Sequence, residues 1–205
     1  MRILRICGAA VLAMIFFFGF ANLFHLDTIP AKAWVREEIS KIRQYVIPVK
    51  ETPKDLSIYE AYQDQIQTKI TGKTEVPCPQ QTDKTVVLLI IGQSNAGNHA
   101  EHKFTSTYKS QIVNYFNGKC FVAASPLVGS SGLGGESWTL LGNLLVAAGA
   151  AENVVLVPAA VGGSFISSWR ADGNLNRMLV DRLGEVKRKY SITQILWHQG
   201  ESDFR

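Results

Sequence analysis

Apolar residues along the chain fall into runs of two kinds. Val86 to Ile91 is a continuous β-branched and leucine run, the pattern of a strand covered on both faces within a parallel sheet. Val154 to Val157 repeats it, and Ile192 to Trp197 supplies a third strand. Between them apolar positions recur at helical spacing: Trp138 to Ala148 reads as one helix, and Leu175, Met178, Leu179, Leu183 and Val186 line one face of another. Strand, helix, strand, helix, strand predicts an α/β sheet with crossover helices. Cys120 to Ala123 adds a candidate edge strand.

Upstream the pattern is different. Arg2 and Arg5 precede Ile6 to Phe24, which carries no charge. As a helix, this stretch would be roughly 28 Å long at ~1.5 Å per residue, close to the thickness of a bilayer's hydrocarbon core. It reads as a signal-anchor or transmembrane helix. Ala31-Lys32-Ala33 offers a small-x-small cleavage site, but the apolar run is longer than a usual signal-peptide core, which favours an uncleaved anchor. Val35, Ile39, Ile42 and Val46 share a helix face that Pro48 ends. A second helix starts near Ser57 and Glu60, which have capping-box spacing, with Leu56, Tyr59, Ile66 and Ile70 as its apolar face. Thr71 to Lys84, with Gly72, Pro77 and Pro79, reads as a linker. The expected organisation is therefore an anchor over residues 1–30, a helical juxtamembrane segment and linker over 31–84, and one α/β domain over 85–205.

Composition narrows the partners. A chain of 205 residues, 46% of them hydrophobic, suffices for one principal core. Lys and Arg number 21 against 17 Asp and Glu, and apart from Lys187, Arg188 and Lys189 the positive residues are scattered, so nucleic acid is not an expected partner. The membrane is, through the N-terminal helix. The positive-inside tendency is at odds with export, since Lys32, Arg36, Lys41 and Arg43 outnumber Arg2 and Arg5, but long domains translocate largely regardless of such charges. The domain is expected outside the cytoplasm, periplasmic or extracellular, or secreted if the helix is cleaved. Cys7 lies at the start of the apolar run instead of after it, and so is no lipidation site. Cys78 and Cys120 are either a disulfide or two isolated thiols. Nothing in the sequence sets the oligomeric state.

Candidate chemistry lies where open α/β sheets bind ligands, beyond the carboxyl ends of the strands. Each predicted strand ends there in a polar loop containing glycine: Gly92-Gln93-Ser94-Asn95, Gly162-Gly163-Ser164, and His198-Gln199-Gly200-Glu201-Ser202-Asp203. Gly92 permits a sharp exit that sets Ser94 at the start of the next helix, as a nucleophile beside unpaired N–H groups or as a plain N-cap. Gly162-Gly163 lets backbone N–H approach an oxyanion, or is an ordinary tight turn. Ser164, Ser167 and Trp169 form a polar rim for a sugar, or Trp169 belongs to the core. Gln199 offers an amide donor to the same oxyanion, and Glu201 orients a base or braces the loop. His198-x-x-Glu201-x-Asp203 lacks the i, i+4 histidine pair of a zinc-protease helix, so no metal or organic cofactor is implied.

These three blocks, in this order, resemble those of the sialate O-acetylesterase-like carbohydrate esterases, a branch of the SGNH hydrolase superfamily. Ser131-Gly132-Leu133-Gly134-Gly135 and Leu141-Gly142 extend the resemblance, which covers about Thr85 to Arg205. It implies a flavodoxin-like three-layer fold. It also implies that Ser94 attacks the acetyl carbonyl of an acetylated carbohydrate, with the oxyanion held by the Ser94 N–H, by Gly163 in preference to Gly162, and by the Gln199 side chain. Glu201 belongs with these catalytic positions, while Gln93, Asn95, Gly162, Ser164, Trp169 and His198 are the expected substrate-side residues. In that family the base comes from an Asp-x-x-His block downstream of Gln-Gly-Glu. This sequence reaches only Arg205, so the expectation is the N-terminal portion of such a domain with an incomplete sheet. On a helix continuing from Ser94, at ~100° per residue, His99 points about 140° away and His102 lies roughly 12 Å further along, which leaves His198 as the internal candidate base. The alternative to an esterase is a carbohydrate-binding protein without turnover.

Overall fold

A computed structural model describes residues 65–204. The expected anchor and the helix face from Val35 to Val46 lie outside the described residues. Among the described residues no helix is long and apolar enough to cross a membrane.

Six strands form one mixed sheet: β1 (Glu75–Val76), β2 (Thr85–Gly92), β3 (Ile112–Phe116), β4 (Lys119–Val122), β5 (Asn153–Pro158) and β6 (Gln194–His198), in the order β1-β4-β3-β5-β2-β6. β3, β5, β2 and β6 run parallel, whereas β4 and β1 are antiparallel to their neighbours. Among the described residues two α-helices cover the sheet, α1 (Trp138–Ala147) and α2 (Asn174–Val186). Successive side chains of a strand point to opposite faces, so the apolar run of β2 divides between them. Val87, Leu89 and Ile91 join Leu175, Met178 and Val186 of α2, while Leu88 and Ile90 lie on the α1 side with Leu141, Leu145 and Val146. The three-layer α/β expectation holds, with a mixed sheet in place of a wholly parallel one.

Three expectations are revised. β3 went unread because Asn114 interrupts its apolar run. The Asn114 side chain is buried and satisfied by the backbone of Val128, donating to its carbonyl at 3.0 Å and accepting its N–H at 2.7 Å. Ile66 and Ile70 are not on a helix. Ile66 bridges antiparallel to Ser131, and the Gln67 N–H donates to Ser130 O at 2.9 Å, so a neighbouring segment takes this backbone into extended pairing. The stretch from Thr71 to Lys84 is part of the fold rather than a free linker: β1 pairs with β4, Lys73 Nζ donates to the carbonyls of Ala124 and Pro126, and Cys78 is disulfide-bonded to Cys120. Cys120 to Ala123 is indeed a strand region, but β1 lies outside it and is the true edge on that side. The other edge is β6, where Ile195 is 55% and Trp197 42% exposed.

The disulfide closes a loop between residues 42 apart in sequence and fastens β1 to the sheet. Replacing Cys78 and Cys120 together with alanine is expected to lower the free energy of unfolding by about 2–4 kcal/mol. Leu156→Ala, which removes a fully buried side chain at the centre of β5, is expected to lower it by about 2–5 kcal/mol. Urea denaturation under non-reducing conditions measures both.

Candidate active site

The site is built where β2, β5 and β6 end side by side. Gly92 closes β2 with φ +127°, and a Cβ there would stand 1.9 Å from the His198 carbonyl oxygen, so only glycine allows the two strand ends to approach. The chain then hydrogen-bonds to both neighbours: Gln93 N–H donates to His198 O at 2.9 Å, and Val161 N–H to Gly92 O at 2.9 Å. Ser94 opens a single 3-10 turn, Ser94–Ala96, closed by the Gly97 N–H on Ser94 O.

This turn corrects the expected helix. Gly97 is extended, and residues 98–100 pair with 131–135, Asn98 N–H donating to Ser131 O and Ala100 N–H to Gly135 O. The buried Asn98 side chain fixes that course, donating to Leu127 O at 2.9 Å and accepting the Leu127 N–H at 2.6 Å. A three-residue turn has no macrodipole to lend, so charge stabilisation here rests on individual N–H groups. His99 is not carried away along a helix axis; its Nε2 lies 3.1 Å from Ser131 Oγ. Behind the turn, the Trp138 indole N–H donates to Ala96 O at 2.8 Å. The start of α1 is held by Glu136, whose carboxylate accepts the N–H groups of Trp138 and Thr139.

The predicted residues separate into two sets. In the first, polar side chains brace loop against loop. Gln93, 2% exposed, accepts the Ser202 N–H at 3.0 Å and a Gln199 N–H at 3.3 Å. Ser164 is buried, and its hydroxyl accepts the Trp169 indole N–H at 3.1 Å; Trp169 lies in the core against α2 rather than on an open rim. Gln199 Nε2 faces three acceptors, Ser164 O at 2.7 Å, Asp203 Oδ2 at 2.9 Å and Gln93 Oε1 at 3.3 Å, which occupy both its hydrogens. The carboxamide expected at the oxyanion therefore stitches the second loop to the third. Asp203, which carried no separate role in the sequence reading, completes the stitch by accepting the Ile166 N–H at 2.9 Å. Its signal was the position one turn beyond Gln199. Asn95 donates to Glu201, and His198 Nε2 lies 3.2 Å from the same carboxylate oxygen.

In the second set, groups face no protein partner. The Ser94 hydroxyl has no hydrogen-bond partner among the described residues, and neither the Ser94 nor the Gly163 N–H has an acceptor. The Gly162 N–H is engaged, donating to Ser131 Oγ at 2.6 Å, so of the two glycines Gly163 is the one with a free donor. Gly163 takes φ +71°, which turns the chain sharply at this point.

Over residues 84–205 the chain matches the model of the carbohydrate esterases described as sialic acid-specific acetylesterases. The chain belongs to that family. The six-stranded α/β sheet with its two helices fits the SGNH-like fold of the esterase family. A search of curated proteins found no match. Among solved structures, an Arabidopsis thaliana protein known at 1.6 Å resolution is similar at 24% identity and a TM-score of 0.47, over 58% of this chain; the chain spans 58% of the length of that protein.

Within this domain, which matches the carbohydrate esterase family, Glu201 is the site group whose acidity is shifted. Its own backbone N–H is the largest influence holding its carboxyl below the usual range, Asn95 and the charge of His198 act in the same direction, and desolvation opposes them. A depressed folded pKa stabilises the ionised loop at pH values above the ordinary glutamate range. That contribution is lost as pH falls through the folded value. Glu201→Gln is therefore expected to speed amide exchange at Ser202 relative to the parent at neutral pH. The two rates should converge in acid, as hydrogen exchange followed by NMR across pH will measure.

Proposed function

We propose that this family member is a serine O-acetylesterase acting on an acetylated carbohydrate. Ser94 Oγ attacks the acetyl carbonyl, the sugar hydroxyl leaves, and water hydrolyses the resulting acetyl-enzyme. The observation that supports this reading is the symmetry of the two strand ends. Ser94 and Gly163 each stand two residues past the hydrogen-bonded Gly92 and Val161, and each presents a backbone N–H without an acceptor. Acyl transfer requires a nucleophile with free donors for the oxyanion, since each preorganised donor there is worth about 3–4 kcal/mol of barrier. Gln199 holds the loops in register in the resting site and becomes a third donor only by releasing one of its acceptors.

A second reading has its own support. His198 pairs with Glu201 and His99 with Ser131, so no described histidine is bonded to the Ser94 hydroxyl. In that reading the protein binds acetylated sugar without turnover; in the esterase reading a histidine must reach the Ser94 hydroxyl to take its proton. We also propose that the domain lies outside the cytoplasm behind an N-terminal anchor. The charge-free run from Ile6 to Phe24 and the Cys78–Cys120 disulfide, a bond of oxidising compartments, support this.

Ser94→Ala is expected to reduce hydrolysis of 4-nitrophenyl acetate and of an O-acetylated sugar by about 10³-fold or more. Equal rates in the parent and Ser94→Ala would remove Ser94 as nucleophile. Sugar binding by calorimetry in both proteins, with turnover in neither, would establish the binding reading instead.

A further inference from the structure

We propose that Ser131 and His99 are positioning residues that aim the Gly163 N–H at the oxyanion; the proposal rests on the esterase reading of Ser94 and Gly163. Ser131 is 1% exposed, and its place is fixed through its backbone, its N–H donating to Ala160 O at 2.9 Å and its carbonyl accepting the Asn98 N–H at 2.8 Å. Its hydroxyl then accepts the Gly162 N–H at 2.6 Å and meets His99 Nε2 at 3.1 Å. With Nε2 unprotonated, the hydroxyl donates a hydrogen bond to the imidazole and becomes a stronger acceptor for Gly162, as hydrogen bonds in a chain polarise one another. The bond has two effects on the turn. It withdraws the Gly162 N–H from the site, and it anchors the residue whose φ and ψ set the direction of the Gly163 N–H.

The seat of His99 argues that the imidazole itself is required. A Cβ at Gly162 would stand 2.8 Å from His99 Nε2 and 3.0 Å from Cε1, one at Gly132 2.8 Å from Cδ2, and one at Gly97 3.2 Å from Cδ2. Glycines from three separate segments thus leave room for one ring. Gly132 has φ +92°, which alone accounts for glycine there. Gly97 has no such backbone conformation, but a Cβ there would meet Ser131 O at 3.0 Å before it met the ring; at Gly162, which has neither restriction, the space taken by His99 is what the missing side chain provides. His99 is nonetheless an exposed residue, so hydrophobic burial does not account for its seat beside Gly162. Its bond to Ser131 does.

Two measurements test this, one of them independent of turnover. In 15N NMR spectra, Ser131→Ala is expected to shift the Gly162 amide and raise its exchange rate at least about 10-fold, while His99→Phe, which keeps the ring without nitrogen, gives a smaller change of the same sign. In hydrolysis of 4-nitrophenyl acetate, Ser131→Ala is expected to lower kcat about 10- to 100-fold with KM little changed, because a donor displaced by about 1 Å acts on the transition state more than on the bound ester. His99→Phe should fall between, and His99→Gln, which restores a polar partner, should recover part of the loss. An unchanged Gly162 amide in both Ser131→Ala and His99→Phe overturns the proposal. So does an unchanged kcat in both variants of a parent whose turnover depends on Ser94. If the parent shows no Ser94-dependent turnover while the Gly162 amide responds as described, the esterase reading fails and the relay stands as what fixes the turn. Should Ser131→Ala not fold, the His99 pair carries the same decisions.

Discussion

The approach of Gly92 to the His198 carbonyl is the constraint on which the rest depends. At 1.9 Å the oxygen lies where any other residue would carry its Cβ, so β2 and β6 end in step only because this residue has none. The Gln93 N–H meets the same oxygen, and the Gly92 carbonyl receives Val161 from the other side. Three chain segments are thereby locked at one level, and the residues beyond each meet without a long loop to search for them. A scaffold of this kind positions polar groups more tightly than loops alone, since the strands beneath them are fixed by core packing on both faces.

That packing includes buried polar side chains, among them Gln93, Asn98, Asn114, Ser130, Ser131, Glu136 and Ser164. Each has a partner within hydrogen-bonding distance, and among the described residues the one buried side-chain nitrogen or oxygen without a partner is Arg182 Nε. Satisfied networks in a low-dielectric interior rigidify because breaking one bond strands two polar groups at once. Glu136 illustrates the density, with Ser125, Trp138 and Thr139 all donating to its carboxylate. Its effect reaches the site through Trp138, whose indole holds the Ser94 turn at Ala96.

How much of this could be read from the residues follows from the same physics. β2, β5 and both helices were legible because their apolar residues repeat with the period of the element and cover a face. β3 was not, because Asn114 is satisfied by a backbone 14 residues away, a partner invisible in local pattern. The course of the chain after Ser94 was misread as helix for a related reason. Asn98 and Ser131 commit residues 98–100 to extended pairing, and local propensity carries no trace of that distant partner. Ile66 and Ile70 had helical spacing, but spacing describes a face without saying whether the backbone is already taken. The three loops were legible as a set because glycine next to polar residues after a buried strand is hard to explain by packing.

Within those loops, residue type did not reveal which groups act and which support. Gln199, Gln93 and Ser164 look like ligands for a substrate in the sequence and are braces in the structure, their polar atoms turned toward one another. The groups left over are smaller: one hydroxyl and two backbone N–H groups. That division has a physical reason. A donor acts on a developing charge only if it is held in place without having its own hydrogen occupied, so the holding must be done by neighbouring atoms. Gly163 shows the principle at its simplest: its N–H has no acceptor among the described residues, while the adjacent Gly162 N–H is bound to Ser131.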